Sequence, residues 1–70
     1  MVKVGQVYAD KDKREAGRHL RVVETDGWHA KLARCTPAGD VYKARLTQIL
    51  VVNLERRFRL VKDAEADTNA

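Results

Sequence analysis

Leu46-Thr47-Gln48-Ile49-Leu50-Val51-Val52-Asn53-Leu54-Glu55-Arg56-Arg57-Phe58-Arg59-Leu60-Val61 is the stretch whose reading decides the fold class. Two readings compete. Leu46, Ile49, Leu50, Asn53, Leu54, Arg57, Phe58 and Val61 recur at intervals of three and four, the spacing of one helical face. Asp40, just after Pro37 and Gly39, would then be the N-cap. Against a helix stand Ile49, Val51 and Val52, whose branched side chains favour extended backbone, and the lack of a glycine or proline to end it. The second reading makes Val41 to Val52 a strand, closes one helical turn over Asn53-Leu54-Glu55-Arg56, and opens a last short strand at Phe58 and Leu60. The strand reading is the one adopted here.

Upstream, the chain reads as short strands separated by turn residues. Val2, Val4, Val7 and Tyr8 suggest a first strand, interrupted at Gly5 by a bulge or tight bend. The run from Asp10 to Gly17 is too polar for a strand and reads as a loop with one helical turn. From Arg18 to Glu24 the pattern alternates, with Leu20 and Val22 on one side and His19, Arg21 and Val23 on the other. Asp26-Gly27 follows, and such a pair between alternating runs signals a hairpin because both residues tolerate positive φ. Trp28, Ala30 and Leu32 then share one face of a third strand, and Pro37-Ala38-Gly39-Asp40 forms the next turn. The expected core is Val4, Val7, Leu20, Val22, Trp28 or Ala30, Leu32, Ile49, Leu54, Phe58 and Leu60.

Seventy residues form one domain with a small core, and leave little room for a deep pocket framed by several catalytic groups. Charge is uneven along them. Residues 1–62 hold all fourteen bases and seven acids, which gives +7, whereas residues 63–70 hold three acids and no base. That tail has no large apolar residue to repay its ordering, so it is expected to be disordered. The longest apolar run, Ile49-Leu50-Val51-Val52, is too short to cross a membrane. With no signal-like leader and one cysteine, Cys35, the expectation is a cytoplasmic protein in a reducing compartment.

Catalysis finds little support. Serine is absent, and Cys35 follows Ala33 at strand spacing, as a small inert thiol would. His19 and His29 fall on polar strand faces, with no cysteine or carboxylate pair at metal-ligand spacing beside them, so neither metal nor cofactor is expected. Asp10-x-Asp12 opens like a calcium loop, but Glu15 stands where glycine is needed and Arg21 where glutamate is. The Asp10 to Arg18 segment reads better as a loop stapled by pairs between Asp10 or Asp12 and Arg14 or Arg18. Its alternative role is a partner-binding tip carried by Asp10, Asp12 and Arg14.

Basic residues near aromatic ones are the feature that points to a ligand. Arg18, Arg21, Lys31, Arg34, Lys43 and Arg45 lie on the expected central strands, with Trp28 and Tyr42 close in sequence. Arg56, Arg57 and Arg59 form a second cluster. Such patches neutralise phosphates, and aromatics can stack bases; a solvated sheet face is the plainer explanation.

The opening Gly5-Gln6-Val7-Tyr8-Ala9-Asp10-Lys11-Asp12-Lys13-Arg14, followed by Gly17-Arg18-His19-Leu20-Arg21-Val22, resembles a family of small uncharacterised proteins of actinobacteria and their bacteriophages. Thr47-Gln48-Ile49 and Phe58-Arg59-Leu60-Val61 match its closing half, although many relatives read Arg-Thr-Arg-Ile where this chain has Leu46-Thr47-Gln48-Ile49. The resemblance implies a mostly β fold, a small five-stranded SH3-like barrel with a short helical turn before the last strand. It implies no established function. Two functions from different classes follow. One is a non-enzymatic module that holds nucleic acid by its phosphate backbone without reading sequence. The other is a protein-interaction module, such as a bacteriophage accessory protein docking on a host or phage protein. In either case the expectation is a monomer or weak homo-oligomer with no small-molecule substrate and no membrane.

Overall fold

A computed structural model of the chain describes residues 2–15 and 17–63. They are mostly strand. The elements are β1 (Val7–Asp10), a single 3-10 turn (Lys13–Glu15), β2 (His19–Thr25), β3 (His29–Cys35), β4 (Val41–Leu50), α1 (Val51–Arg57) and β5 (Phe58–Lys62). One antiparallel sheet carries the strands in the order β4-β3-β2-β1-β5. Consecutive strands pair, and β5 returns to the outer side of β1. No ladder joins β4 to β5 among the described residues, so these two remain as edges and hydrogen bonds do not close the sheet into a barrel.

The contested stretch divides at Leu50. Up to that residue it is strand, because Ala30 pairs with Ile49 and His29 with Leu50. Val51 and Val52, expected at the end of the strand, instead begin α1, which runs three residues further in all than the turn read over Asn53 to Arg56. Seven residues are too few to hold a helix by propensity. Its support is tertiary: Leu54 is fully buried, the Val51 amide donates to the Trp28 carbonyl at 2.8 Å, and the Phe58 amide returns to the Leu54 carbonyl.

Opposed residues place Tyr8, Leu20, Val22, Leu32 and Ala30 on one face of the sheet, since Leu20 pairs with Tyr8 and Val22 with Leu32. With Val2, Leu54 and Phe58 they form the main core, and Ile49 and Val51 pack against it. The other face is buried in part as well. Val7, Ala9, Ala33 and Cys35 are covered there, with the turn after β3 drawn over them. Arg21 Nη1 donates to the Gly39 carbonyl at 2.9 Å and Lys62 Nζ to the Ala38 carbonyl at 3.0 Å.

Three expected core residues lie outside it. Val4 is 55% exposed and Val2 takes its place, because a turn from Lys3 to Gln6 resets the alternation (Gln6 amide to Lys3 carbonyl, 3.2 Å). Trp28 is 76% exposed: it sits in the β2–β3 loop, before β3 begins, so strand alternation does not govern it, and Ala30 is the buried choice. Leu60 is 46% exposed because β5 is an edge with no strand beyond it. The hairpin itself forms, with positive φ at Gly27 alone; the Asp26 carboxylate accepts the Trp28 and His29 amides, both at 2.8 Å.

Of the segment expected as a tail, Asp63 is held: Gln6 Nε2 donates to its Oδ1 at 2.9 Å. Residues 64–70 lie outside the described residues. No described helix is long and apolar enough to cross a membrane.

Candidate functional site

The register brings four of the nine candidate bases together. Arg34 pairs with Leu20, so it projects on the core side of the sheet. The helix sits at the other end of β3, following Leu50, the partner of His29. The Arg34 end is thereby left open. Lys43, Arg45 and Thr47 occupy alternate positions of β4, and Arg18 immediately precedes β2. Arg18, Arg34, Lys43, Arg45, Thr47 and Leu20 line one cavity of about 240 Å³, with no carboxylate among the described residues lining it. Arg34 is half-buried, and its Nε is buried without a hydrogen-bond partner among the described residues. A buried donor of this kind costs free energy unless something accepts from it.

Arg18 is held from behind. Its Nε lies 3.4 Å from Asp10 Oδ2, and its guanidinium carbon sits 5.5 Å from the centroid of the Phe58 ring. Arg18 also borders a second cavity of about 410 Å³, shared with Asp10, Lys11, Asp12 and Arg57. Arg57 therefore joins the cluster's margin, in a mixed-charge setting.

The remaining candidates are apart. Arg21 points to the opposite face and is bonded to Gly39. Lys31 lies 3.9 Å from Glu24 Oε1, beside Asp26 and His29. Arg56 and Arg59 are exposed; Arg59 borders a 320 Å³ cavity with Gln6, Tyr8, Lys11, Glu55, Phe58 and Leu60. The Asp10–Arg18 loop is stapled on both carboxylates. Asp10 Oδ1 accepts the Asp12 amide and Asp12 Oδ1 the Arg14 amide, each at 2.9 Å, with Arg14 Nε 3.6 Å from Asp12. Exposed Arg14 is thus tied locally and stands away from the four-base cavity.

Sequence reasoning passed over Thr47 and Lys11. The alternation Lys43-x-Arg45-x-Thr47 was the available signal for the first. It also passed over the buried Gln6, 4% exposed, whose Oε1 accepts the Tyr8 hydroxyl at 3.0 Å and the Lys3 amide at 2.8 Å. Burial, with the Glu55 and Asp63 carboxylates adding to it, raises the Tyr8 phenol above its ordinary pKa. Burial likewise pushes the Cys35 thiol up, opposed by Arg21 and reinforced by Asp40, so this sulfur is covered and protonated rather than activated. The backbone N–H groups of His29 and Trp28 hold the Asp26 carboxyl below its usual range. His19 Nδ1 lies 2.9 Å from the Gly17 carbonyl. Among the described residues no three of His, Cys, Asp or Glu gather as a metal would require.

What this arrangement can do chemically is bind an anion. Four cations and a hydroxyl line one open recess. No family model, curated protein or solved structure matches the chain.

Proposed function

We propose that the chain is a small binding module that holds nucleic acid through its phosphates, without an enzymatic step. One observation carries this reading: Arg18, Arg34, Lys43 and Arg45 converge on a single recess that no described carboxylate lines. Structural ion pairs would spread such bases among acids, as Lys31 and Glu24 are. Concentrating cations instead creates a local potential that attracts phosphate. The surplus of bases over residues 1–62 supports the same partner.

The finer fold belongs to the same proposal. A meander whose fifth strand returns to the first, with a short helix before it, supports a relation to SH3-like barrels and to the actinobacterial and bacteriophage family whose opening motif the chain resembles. Cytoplasmic residence is part of that reading. The test is fluorescence polarisation against single- and double-stranded oligonucleotides at two salt concentrations. Binding that weakens with salt is the expected result.

A second reading, docking on a protein partner, is favoured by Trp28, which stands 76% exposed next to exposed Leu50 at the hairpin end of the sheet. If oligonucleotides are ignored even at low salt, that reading replaces the first. The surfaces to test are then Trp28 and the Asp10–Arg18 loop.

A further inference from the structure

We infer that the four-base recess takes a terminal phosphate of a nucleic-acid strand, a phosphomonoester dianion, in preference to the phosphodiesters within the strand. This rests on the phosphate-binding reading above and sharpens its ligand. The argument is one of charge against volume. The recess, about 240 Å³, has room for one phosphate group, and four cations line it. Arg18, Arg34, Lys43 and Arg45 all line that space, and Arg18 has a carboxylate at its back, Asp10 at 3.4 Å. Holding four like charges around one small recess is costly, and the cost falls with the charge of the anion that enters.

An interior diester brings a single negative charge. A terminal monoester brings nearly two at neutral pH, with a second pKa of about 6, and offers three terminal oxygens as acceptors. The donors suit that number. Arg18 and Arg34 bring guanidinium groups to the recess, and Thr47 adds a hydroxyl beside Lys43 and Arg45. Arg18 enters from just before β2, Arg34 from the neighbouring β3, and Lys43, Arg45 and Thr47 from β4. Planar guanidinium forks of this kind match phosphate oxygens in pairs.

The test compares three single-stranded oligonucleotides of one sequence: 5′-phosphorylated, 3′-phosphorylated and unphosphorylated. The intact chain, Arg34→Gln and Lys43→Gln are titrated with each. A phosphorylated end should tighten binding by about tenfold, the size of one added charge-assisted contact. Both variants should lose most of that preference, and they should also weaken the binding of the unphosphorylated strand, by a smaller factor. Lys43 is exposed, so Lys43→Gln serves if Arg34→Gln fails to fold. Equal affinity for all three strands overturns the inference and leaves the backbone reading standing. Failure of all three to bind overturns both. Competition arms with inorganic phosphate and a nucleoside monophosphate separate the sources: if either displaces the phosphorylated strand at matched concentration, the strand end is rejected as the ligand.

Discussion

Leu54 and Tyr8 show how much single residues decide in a core this small. Leu54 is the one fully buried side chain of α1, and Val51 packs against the core only in part. Leu54→Ala should cost about 2–5 kcal/mol in urea unfolding, through lost burial and the cavity it leaves. Val4→Ala, at an exposed site once expected in the core, should stay within about 0.5 kcal/mol of the parent. Tyr8 gives a pH signature. Its folded-state pKa is raised, first by burial and then by Glu55 and Asp63, so the fold favours the neutral phenol. That contribution is complete below the unfolded value of about 10 and is lost as pH climbs through the folded one. Unfolding free energy should therefore drop above about pH 10, and Tyr8→Phe should remove this component of the drop. Cys35 offers a third check. A covered thiol with a raised pKa should react with a thiol reagent only at the rate the protein unfolds, and a fast native-state reaction would place it at the surface.

At the scale of elements, the two turns that flank β3 differ in what they carry. Gly27 has φ of 94°, and a Cβ there would meet nothing within 4 Å. Gly27→Ala should thus cost only the conformational strain, about 1 kcal/mol. Gly39, at φ of 102°, belongs to the turn drawn over the second face, where a Cβ would come within 3.3 Å of Val7 Cγ2 and 3.7 Å of Arg21 Nη1. Gly39→Ala should destabilise more than Gly27→Ala, since it disturbs the Arg21 bond and the Val7 contact besides the backbone. Thermal melts of the pair decide it; equal losses would mean that this turn does not cover the sheet. The hairpin carries its own pH dependence. Asp26 is held below the usual carboxylate range by two amides, so its support for the turn is present at neutral pH and fades as pH falls through that lowered value.

At the scale of the whole molecule, the uneven charge makes the binding proposal quantitative. Each phosphate neutralised on a single strand adds about −0.7 to the slope of log affinity against log salt, so removing a recess cation by Arg34→Gln should make the slope shallower. Deleting residues 64–70 removes Glu65 and Asp67 and no base, which raises the net charge from +4 to +6. Oligonucleotide binding should tighten on that deletion at low salt and converge with the full chain at high salt, where screening shortens the reach of each charge. An affinity indifferent to the deletion at every salt concentration would show that these acids do not act on the basic surface.

Much of the architecture was legible in the amino-acid sequence because it depends on local preferences. Alternation from His19 to Val22, the Asp26-Gly27 pair and the branched residues of β4 each specify strand or turn within a few residues. The start of α1 at Val51 was not legible, since two valines favour strand locally and only the buried Leu54 and the Trp28 carbonyl turn them into helix. The candidate site divides the same way. That Arg34 and Lys43 are basic is a property of the chain; that they share a recess with Arg18 and Arg45 depends on the pairing of β2, β3 and β4. Alternation along each strand already turned Arg21 and Lys31 away from the core face, but register depends on contacts between residues far apart in sequence, so tertiary structure alone gathered the other four.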